Sequence, residues 1–356
     1  MNNTNSKQDW KSNLNYLLDK LPLEERYICA AGIPGPALEM RSGTLPKQIR
    51  WNFGLRDFQA PVAEVTHLKY EKLRRYKKRI SQEYTLFRIV NKYKLITPNL
   101  NSRVILFKDY LISWFHHLRG TSIDNNIAKK MRKIKFCLHN KNIKIVYPAD
   151  LVSLGLLWEI FAQEAYYFKE PVETIYDIGA NIGLSAVYLH LINPKAKIIC
   201  IEPVKENLNL LKQNIKLNHI NAEVIPAAAG EKKGEMSLYY SKQSHALPSL
   251  YTKQGNGIKV PIIPFNSIVK GKNYGLKIDI EGAEASLAKF PSIIKNAAWV
   301  VGELHYSENV ERNKKIDKFF DIVKKNFIVK KSRPIIYFVG DNILLCETFK
   351  TIKKIS

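Results

Sequence analysis

The chain of 356 residues contains little that would staple or anchor it. Its four cysteines, Cys29, Cys137, Cys200 and Cys346, lie far apart, and none forms a Cys-x-x-Cys pair. That spacing argues against a structural zinc site. Cys200 and Cys346 sit in apolar, strand-like runs, which reads as buried free thiols in a reducing compartment. No run of about 18 apolar residues occurs, so no membrane-spanning helix is expected. The opening "MNNTNSKQDW" has no apolar signal-peptide core. Acidic residues are scarce as well, 32 Asp and Glu against 56 Lys and Arg, for a formal net charge of +24. Residues 1–150 hold 28 of the basic residues and only 12 of the acidic ones. The densest run, "KYEKLRRYKKR" at 69–79, could meet phosphates, anionic lipid or an acidic glycan; the plain alternative is a solvated helix face. These features place the chain in the cytoplasm, with peripheral contact at the inner membrane surface as the alternative.

Hydrophobic residues make up 46% of the chain, enough for a substantial core. Residues 1–65 are poorly periodic, broken by "AGIPGPAL", with one short helix expected near 10–20. Residues 66–95 and 102–118 read as helices, and the second is the better candidate for lying on a membrane surface. "KIKFCLH" and "IKIVYPA" flank the turn "NKN" and predict a hairpin at 133–148, followed by a helix from Asp150, a candidate N-cap, to Phe168. The division is a basic, mainly helical or irregular region at 1–132 and an α/β domain at 133–356.

From residue 171 apolar strands alternate with helices: "TIYDIG", "GLSAVYLHLI", "AKIICIEP", "KENLNLLKQNIKLN", "AEVIPAA". The pattern continues through "EMSLYY", "IKVPIIPF", "YGLKIDI", a helix from Gly282, and "AAWVVGELHY". Strands apolar on both faces predict a mostly parallel, Rossmann-like sheet covered by helices on both sides. The end differs. "IIYFV" and "NILLC" around Gly340-Asp341 predict an antiparallel C-terminal hairpin.

One further absence is specific. "YDIGANIG", residues 176–183, resembles a nucleotide-binding glycine turn, but Asn181 stands where a dinucleotide site needs its second glycine. A ligand without a pyrophosphate escapes that requirement. Asp177, Gly179, Asn181 and Gly183 offer a tight turn and hydrogen-bonding groups, and Glu202, ending the next strand, can accept from ribose hydroxyls. The plain alternative is a glycine turn that merely packs a helix on a strand.

"YDIGANIGLSAVYL", "IEPVKENLNLLKQNIKLN", "LKIDIEGAE" and "GELHY" together resemble the FkbM-type S-adenosylmethionine-dependent methyltransferases, a branch of the class I methyltransferase fold. The resemblance runs from about 133 to 347 and leaves residues 1–130 uncovered. It implies S-adenosylmethionine as cofactor, with Ala180, Pro203 and Ala228 joining the residues named above. It also implies O-methyl transfer to a hydroxyl-bearing acceptor, a sugar, glycan or natural product.

A sugar hydroxyl needs a base or a metal ion to draw off its proton. In "KIDIEGAE", Lys277, Asp279 and Glu281 alternate with isoleucines and so share a face at the open end of a strand; in "GELHY", Glu303 and His305 do the same. Asp279, Glu281 and His305 are the candidate catalytic groups. Asp279 or His305 would act as base, or Asp279, Glu303 and His305 would hold a divalent ion. An ion-pair network fixing the loop is the alternative to both. Glu284 reads as a dipole-complementing residue in the first turn of a helix. The polar loop 241–257 is a candidate acceptor lid, with His245 as a further base. Three competing functions remain. A nucleic-acid methyltransferase would usually show an Asn/Asp-Pro-Pro-aromatic turn or a Pro-Cys pair; neither is present, which leaves ribose methylation of RNA open. A non-catalytic binding module and a dehydrogenase are the others.

Overall fold

The computed structural model describes residues 27–29, 59–61, 131–148, 153, 156–162, 164–168, 170–240, 248–249, 257–307, 309–331, 335–339 and 342–355. The expected helices near 10–20, at 66–95 and at 102–118, the basic run 69–79, the hairpin turn Gly340-Asp341 and most of loop 241–257, His245 included, lie outside these residues. Two short strands, β1 (Tyr27–Cys29) and β2 (Gln59–Pro61), pair antiparallel.

The predicted hairpin is present as β3 (Met131–Leu138) and β4 (Lys141–Pro148). Its turn is formed by His139 and Asn140, both at positive φ, so it shares Asn140 with the expected "NKN" and starts one residue earlier. A two-stranded ribbon is marginal by itself, and the rest of the fold supports this one. Its inward residues Ile134, Phe136, Ile143 and Ile145 join a core with Tyr188, Leu189 and Leu211. Two asparagines one helical turn apart then take the place of a neighbouring strand. Asn214 accepts from the Val146 amide at 2.8 Å and donates to the Val146 and Ile182 carbonyls, each at 2.9 Å. Asn218 accepts from the Lys144 amide and donates to its carbonyl. Within the expected helix over 150–168, the described residues Ser153, Leu156 and Leu157 are α-helical, and the helix runs into a π-helical turn at Trp158–Ala162 and ends there, short of Phe168.

The alternating stretch builds an eight-stranded sheet. Its strands are β5 (Thr174–Ile178), β6 (Lys197–Ile201), β7 (Ala222–Ile225), β12 (Tyr274–Ile278), β13 (Ala297–Tyr306), β14 (Phe327–Lys331), β15 (Ile335–Val339) and β16 (Asn342–Lys354). The order is β14-β16-β13-β12-β5-β6-β7, with β15 paired to β16. From β13 to β7 every pairing is parallel, and β16 runs antiparallel to β13, β14 and β15. This is the expected Rossmann-like class I methyltransferase sheet with its antiparallel end. Helices α1 (Leu184–Ile192) and α2 (Lys205–Leu217) follow β5 and β6, and α3 (Phe265–Ile268), α4 (Pro291–Asn296) and α5 (Val310–Asn326) follow later. Apolar side chains cover both faces: Ile175, Ile198 and Val301 enter one core, and Tyr176, Ile178 and Val300 enter the other.

The central stretch departs from expectation. "AEVIPAA" splits into β7 and β8 (Ala228–Gly230), because the chain turns at Pro226-Ala227 and changes sheet. β8 joins β9 (Gly234–Tyr240), β10 (Pro248–Ser249) and β11 (Gly257–Pro264) in a separate four-stranded sheet. The alternating exposed and buried residues of β11 match such a half-solvated sheet rather than a doubly covered one. No helix among the described residues is long and apolar enough to cross a membrane.

Candidate active site

The glycine turn leaves β5 at its carboxyl end, and its conformation accounts for its sequence. Gly179, Asn181 and Gly183 all have positive φ, at 87°, 50° and 88°. Asparagine is among the few residues that enter this region readily, so it can stand where glycine was expected. A Cβ on Gly179 would lie 1.7 Å from the Asp279 carbonyl oxygen. The bare glycine therefore lets the chain leaving β12 press against the turn, and the Asp279 amide bonds the Ile178 carbonyl at 3.0 Å. The turn amides of Gly179 and Ala180 both donate to the Ile201 carbonyl at the end of β6.

Glu202 follows directly. Its Oε1 accepts from the Val204 amide and from Asn207, and its Oε2 accepts from the Asn181 amide at 2.9 Å. Burial pushes its carboxyl up to about 7, against the pull of those donors. A carboxylate oxygen can accept two bonds, so Oε2 keeps one position for a ligand hydroxyl. A free acceptor position of this kind is what a ribose hydroxyl requires, and Glu202 also pins the turn, a role the sequence did not suggest. Pro203 is half-buried before the α2 cap Val204, and Ala228 packs with Val204, Leu238 and Val260.

Asp177 and Lys277 are not at an open strand end. They are 0% and 1% exposed, neighbours in register on β5 and β12, with Lys277 Nζ 3.2 Å from Asp177 Oδ1. The Ser185 hydroxyl donates to Asp177 Oδ2, and Lys277 donates to the Gly179 carbonyl at 2.6 Å. Burial alone would lower the Lys277 ammonium; the Asp177 and Asp279 carboxylates outweigh it and hold it raised. Lys277 thus forms a buried ion pair with Asp177, and this pair anchors the glycine turn from beneath.

Beyond this pair the chain turns through Glu281 and Gly282, both at positive φ. β12 and β13 are parallel neighbours, so His305 meets this turn. Its Nε2 lies 3.3 Å from Glu303 Oε2, 3.7 Å from Glu281 Oε2 and 3.8 Å from Asp279 Oδ1. The ligating atoms of Asp279, Glu281 and His305 fall within 4.8 Å of one another, as do those of Glu303, His305 and Cys346. The predicted catalytic trio therefore converges. Asp279 and Glu281 keep 20% and 28% of their side chains exposed, while His305 is buried behind them.

Glu284 corrects the sequence reading. The segment after Gly282 is a 3₁₀ helix, Ala283–Lys289, and Glu284 is wholly buried. It bonds the Ile280 amide and lies 2.9 Å from His305 Nδ1. Burial alone would lower the His305 imidazole, but Glu281 and Glu284 hold it well above its usual value. Burial and the Glu303 charge push Asp279 up to about 6, and burial pushes Glu281 up to about 7. Glu303 resists its burial through its bond to His305 and sits at about 2. Sequence reasoning also missed three neighbours. The Tyr166 hydroxyl donates to Asp279 at 3.1 Å, the Cys346 thiol donates to Glu303 at 2.9 Å, and Glu159, on the π-helical turn, shares a hydrogen bond with Glu303. Only the π-helix, often found at functional sites, marks this position, and it is a tertiary observation.

Residues 177–327 match the Methyltransferase FkbM domain family, a span that opens on Asp177 and contains the turn, Glu202, Asp279, Glu281, Glu284, Glu303 and His305, but not Glu159, Tyr166 or Cys346. Over that span the chain is similar to the FkbM methyltransferase domain. A curated relative, "Methyltransferase sdnD" of Sordaria araneosa, is 29% identical over 143 residues, covering 38% of this chain and 49% of that protein. The chain thus spans about half the length of the relative it matches. Among solved structures, M. jannaschii TYW2 in complex with AdoMet is 14% identical, covering 64% of this chain and 88% of that one at a TM-score of 0.35. Precorrin-6y C5,15-methyltransferase from Geobacter metallireducens GS-15 is 10% identical, covering 53% and 87%, at 0.30. Overlaps this loose carry no argument; the strand order of the sheet carries the fold.

Proposed function

We propose that this chain is an S-adenosylmethionine-dependent O-methyltransferase acting on a hydroxyl of a sugar, glycan or natural product. The observation that carries this reading is the contact of two sites. Through Gly179, the turn suited to the cofactor touches the backbone of Asp279, which opens the carboxylate–histidine cluster. Both lie at the carboxyl ends of parallel strands, where open α/β sheets bind ligands. The family match and the curated relative's name support methyl transfer.

Bound there, S-adenosylmethionine would supply a methyl group on a sulfonium, leaving as the thioether when the acceptor oxygen attacks. The chain's own work is positioning and proton handling. The left-handed turn and Glu202 hold the ribose end. Asp279 and Glu281, partly exposed and raised toward neutrality, hold the acceptor hydroxyl and take its proton as the new C–O bond forms. Buried Lys277 and Tyr166 fix Asp279 Oδ2, which leaves Oδ1 on the side of His305 Nε2, 3.8 Å away. The test is transfer of labelled methyl from the cofactor to glycan, lipid-linked sugar and RNA pools by the full chain. Label in a base-stable ether on a sugar supports the reading. Label only on RNA ribose would favour the competing use of a chain with net charge +24. Cofactor binding without transfer to any pool would favour a binding module.

A further inference from the structure

Acidity around His305 exceeds what the cluster can balance from within. Asp279, Glu281, Glu284 and Glu303 gather there, with Glu159 against Glu303 and Asp279, and face only Lys277 and the His305 imidazole. Lys277 is already committed to Asp177 and the Gly179 carbonyl. Glu284 is the sharpest case. It is 0% exposed, its Oε1 faces His305 Nδ1, and its Oε2 has no hydrogen-bond partner among the described residues. A fully buried carboxylate with an unpartnered oxygen is costly unless a positive charge lies close by.

The geometry suits a metal ion. A buried histidine that shows one nitrogen to a carboxylate and the other to a cluster of oxygens is the arrangement by which proteins orient imidazole toward a cation. At metal–ligand distances of about 2.1 Å, two ligands in a tetrahedral arrangement lie about 3.4 Å apart. His305 Nε2 lies 3.7 Å from Glu281 Oε2 and 3.8 Å from Asp279 Oδ1, so closure by about 0.4 Å would complete the set. Asp279 and Glu281 keep 20% and 28% of their side chains exposed, against 12% for Glu303, which leaves further coordination positions on the side open to an acceptor.

Deepening the reading above, we propose that Asp279, Glu281 and His305 bind one divalent first-row cation, with Glu284 positioning His305 through Nδ1. One imidazole with two carboxylates favours Mn²⁺ or Zn²⁺ over Ca²⁺. Glu303 Oε2 lies closer to His305 Nε2, at 3.3 Å, but it already accepts from the Cys346 thiol and its side chain is only 12% exposed; Glu281, 28% exposed, is the carboxylate that completes a set open to an acceptor. A cation there would polarise the acceptor hydroxyl, and coordination through Glu281 Oε2 leaves Oε1 to take the proton.

The test is direct and needs no acceptor. The full chain is stripped with chelator, and Mn²⁺ is titrated while free ion is read by electron paramagnetic resonance. One site per chain is expected in the unaltered protein. Glu281→Gln and His305→Ala should weaken it at least about 100-fold, and Glu284→Gln about 10–100-fold. Binding of S-adenosylmethionine by each variant serves as the check on folding. Glu281→Gln, at a partly exposed position, keeps the test decisive if the buried variants fail to fold. No site in the stripped protein, or a site unchanged in Glu281→Gln, overturns the proposal. Methyl transfer that survives exhaustive chelation overturns it while leaving O-methyl transfer standing; a site without any transfer does the reverse.

Discussion

Replacing Lys277 by methionine keeps the length of the side chain and removes its charge. The pair with Asp177 is buried at both ends, and at 3.2 Å with an effective dielectric of about 20 their attraction is about 5 kcal/mol. Without Lys277, Asp177 keeps only the Ser185 hydroxyl. It is then left as an unpaired buried charge. The Gly179 carbonyl also loses its 2.6 Å donor. Lys277→Met should therefore destabilise the protein by about 3–5 kcal/mol at pH 7. Adding Asp177→Asn removes the stranded charge, so the double variant should be more stable than Lys277→Met alone. Urea denaturation followed by tryptophan fluorescence reads both. A loss below about 1 kcal/mol, or a double variant no more stable than Lys277→Met, would refute the argument that the pair is dry and coupled.

Gly179→Ala would drive a methyl into the Asp279 carbonyl and strain a backbone at φ 87°, so calorimetry should show cofactor binding abolished or weakened at least about tenfold, with stability reduced by about 2 kcal/mol. Asn214→Ala strands the Val146 and Ile182 backbone groups and should cost about 2–4 kcal/mol, read as a lower urea midpoint and faster hydrogen exchange in the β3–β4 hairpin. A cofactor hydroxyl donating to Glu202 favours the ionised carboxylate. Affinity should therefore rise as pH climbs through about 7, with proton release visible as a dependence of binding heat on buffer; affinity flat from pH 6 to 8 would remove Glu202 from the site. Asp279→Asn should leave cofactor binding intact and slow methyl transfer by about 10²–10⁴, and turnover at the normal rate would make the cluster structural.

The local grammar of this chain was legible in one dimension. Apolar strands alternating with helices require a parallel sheet, and "IIYFV" and "NILLC" announced the antiparallel end, because side-chain periodicity reports burial directly. The glycine turn, Glu202 and the Asp279–Glu281–His305 trio were legible for a related reason: residues at the carboxyl ends of parallel strands meet at one edge whatever their separation in sequence. What the sequence could not decide was which charges that edge keeps open. Lys277 and Asp279 share a strand period, yet the register of β12 against β5 seals Lys277 onto Asp177 and leaves Asp279 at the surface. Glu284 looked like a solvated helix-start residue and became the buried partner of His305, because the turn at Glu281-Gly282 folds the 3₁₀ helix back over β13. Cys346 and Glu159 reached the cluster only when β16 inserted beside β13 and the π-helical turn packed above it. Side-chain chemistry chose the residues able to move a proton or hold an ion. Long-range strand register, invisible to local periodicity, decided which of them meet and how dry the meeting place is.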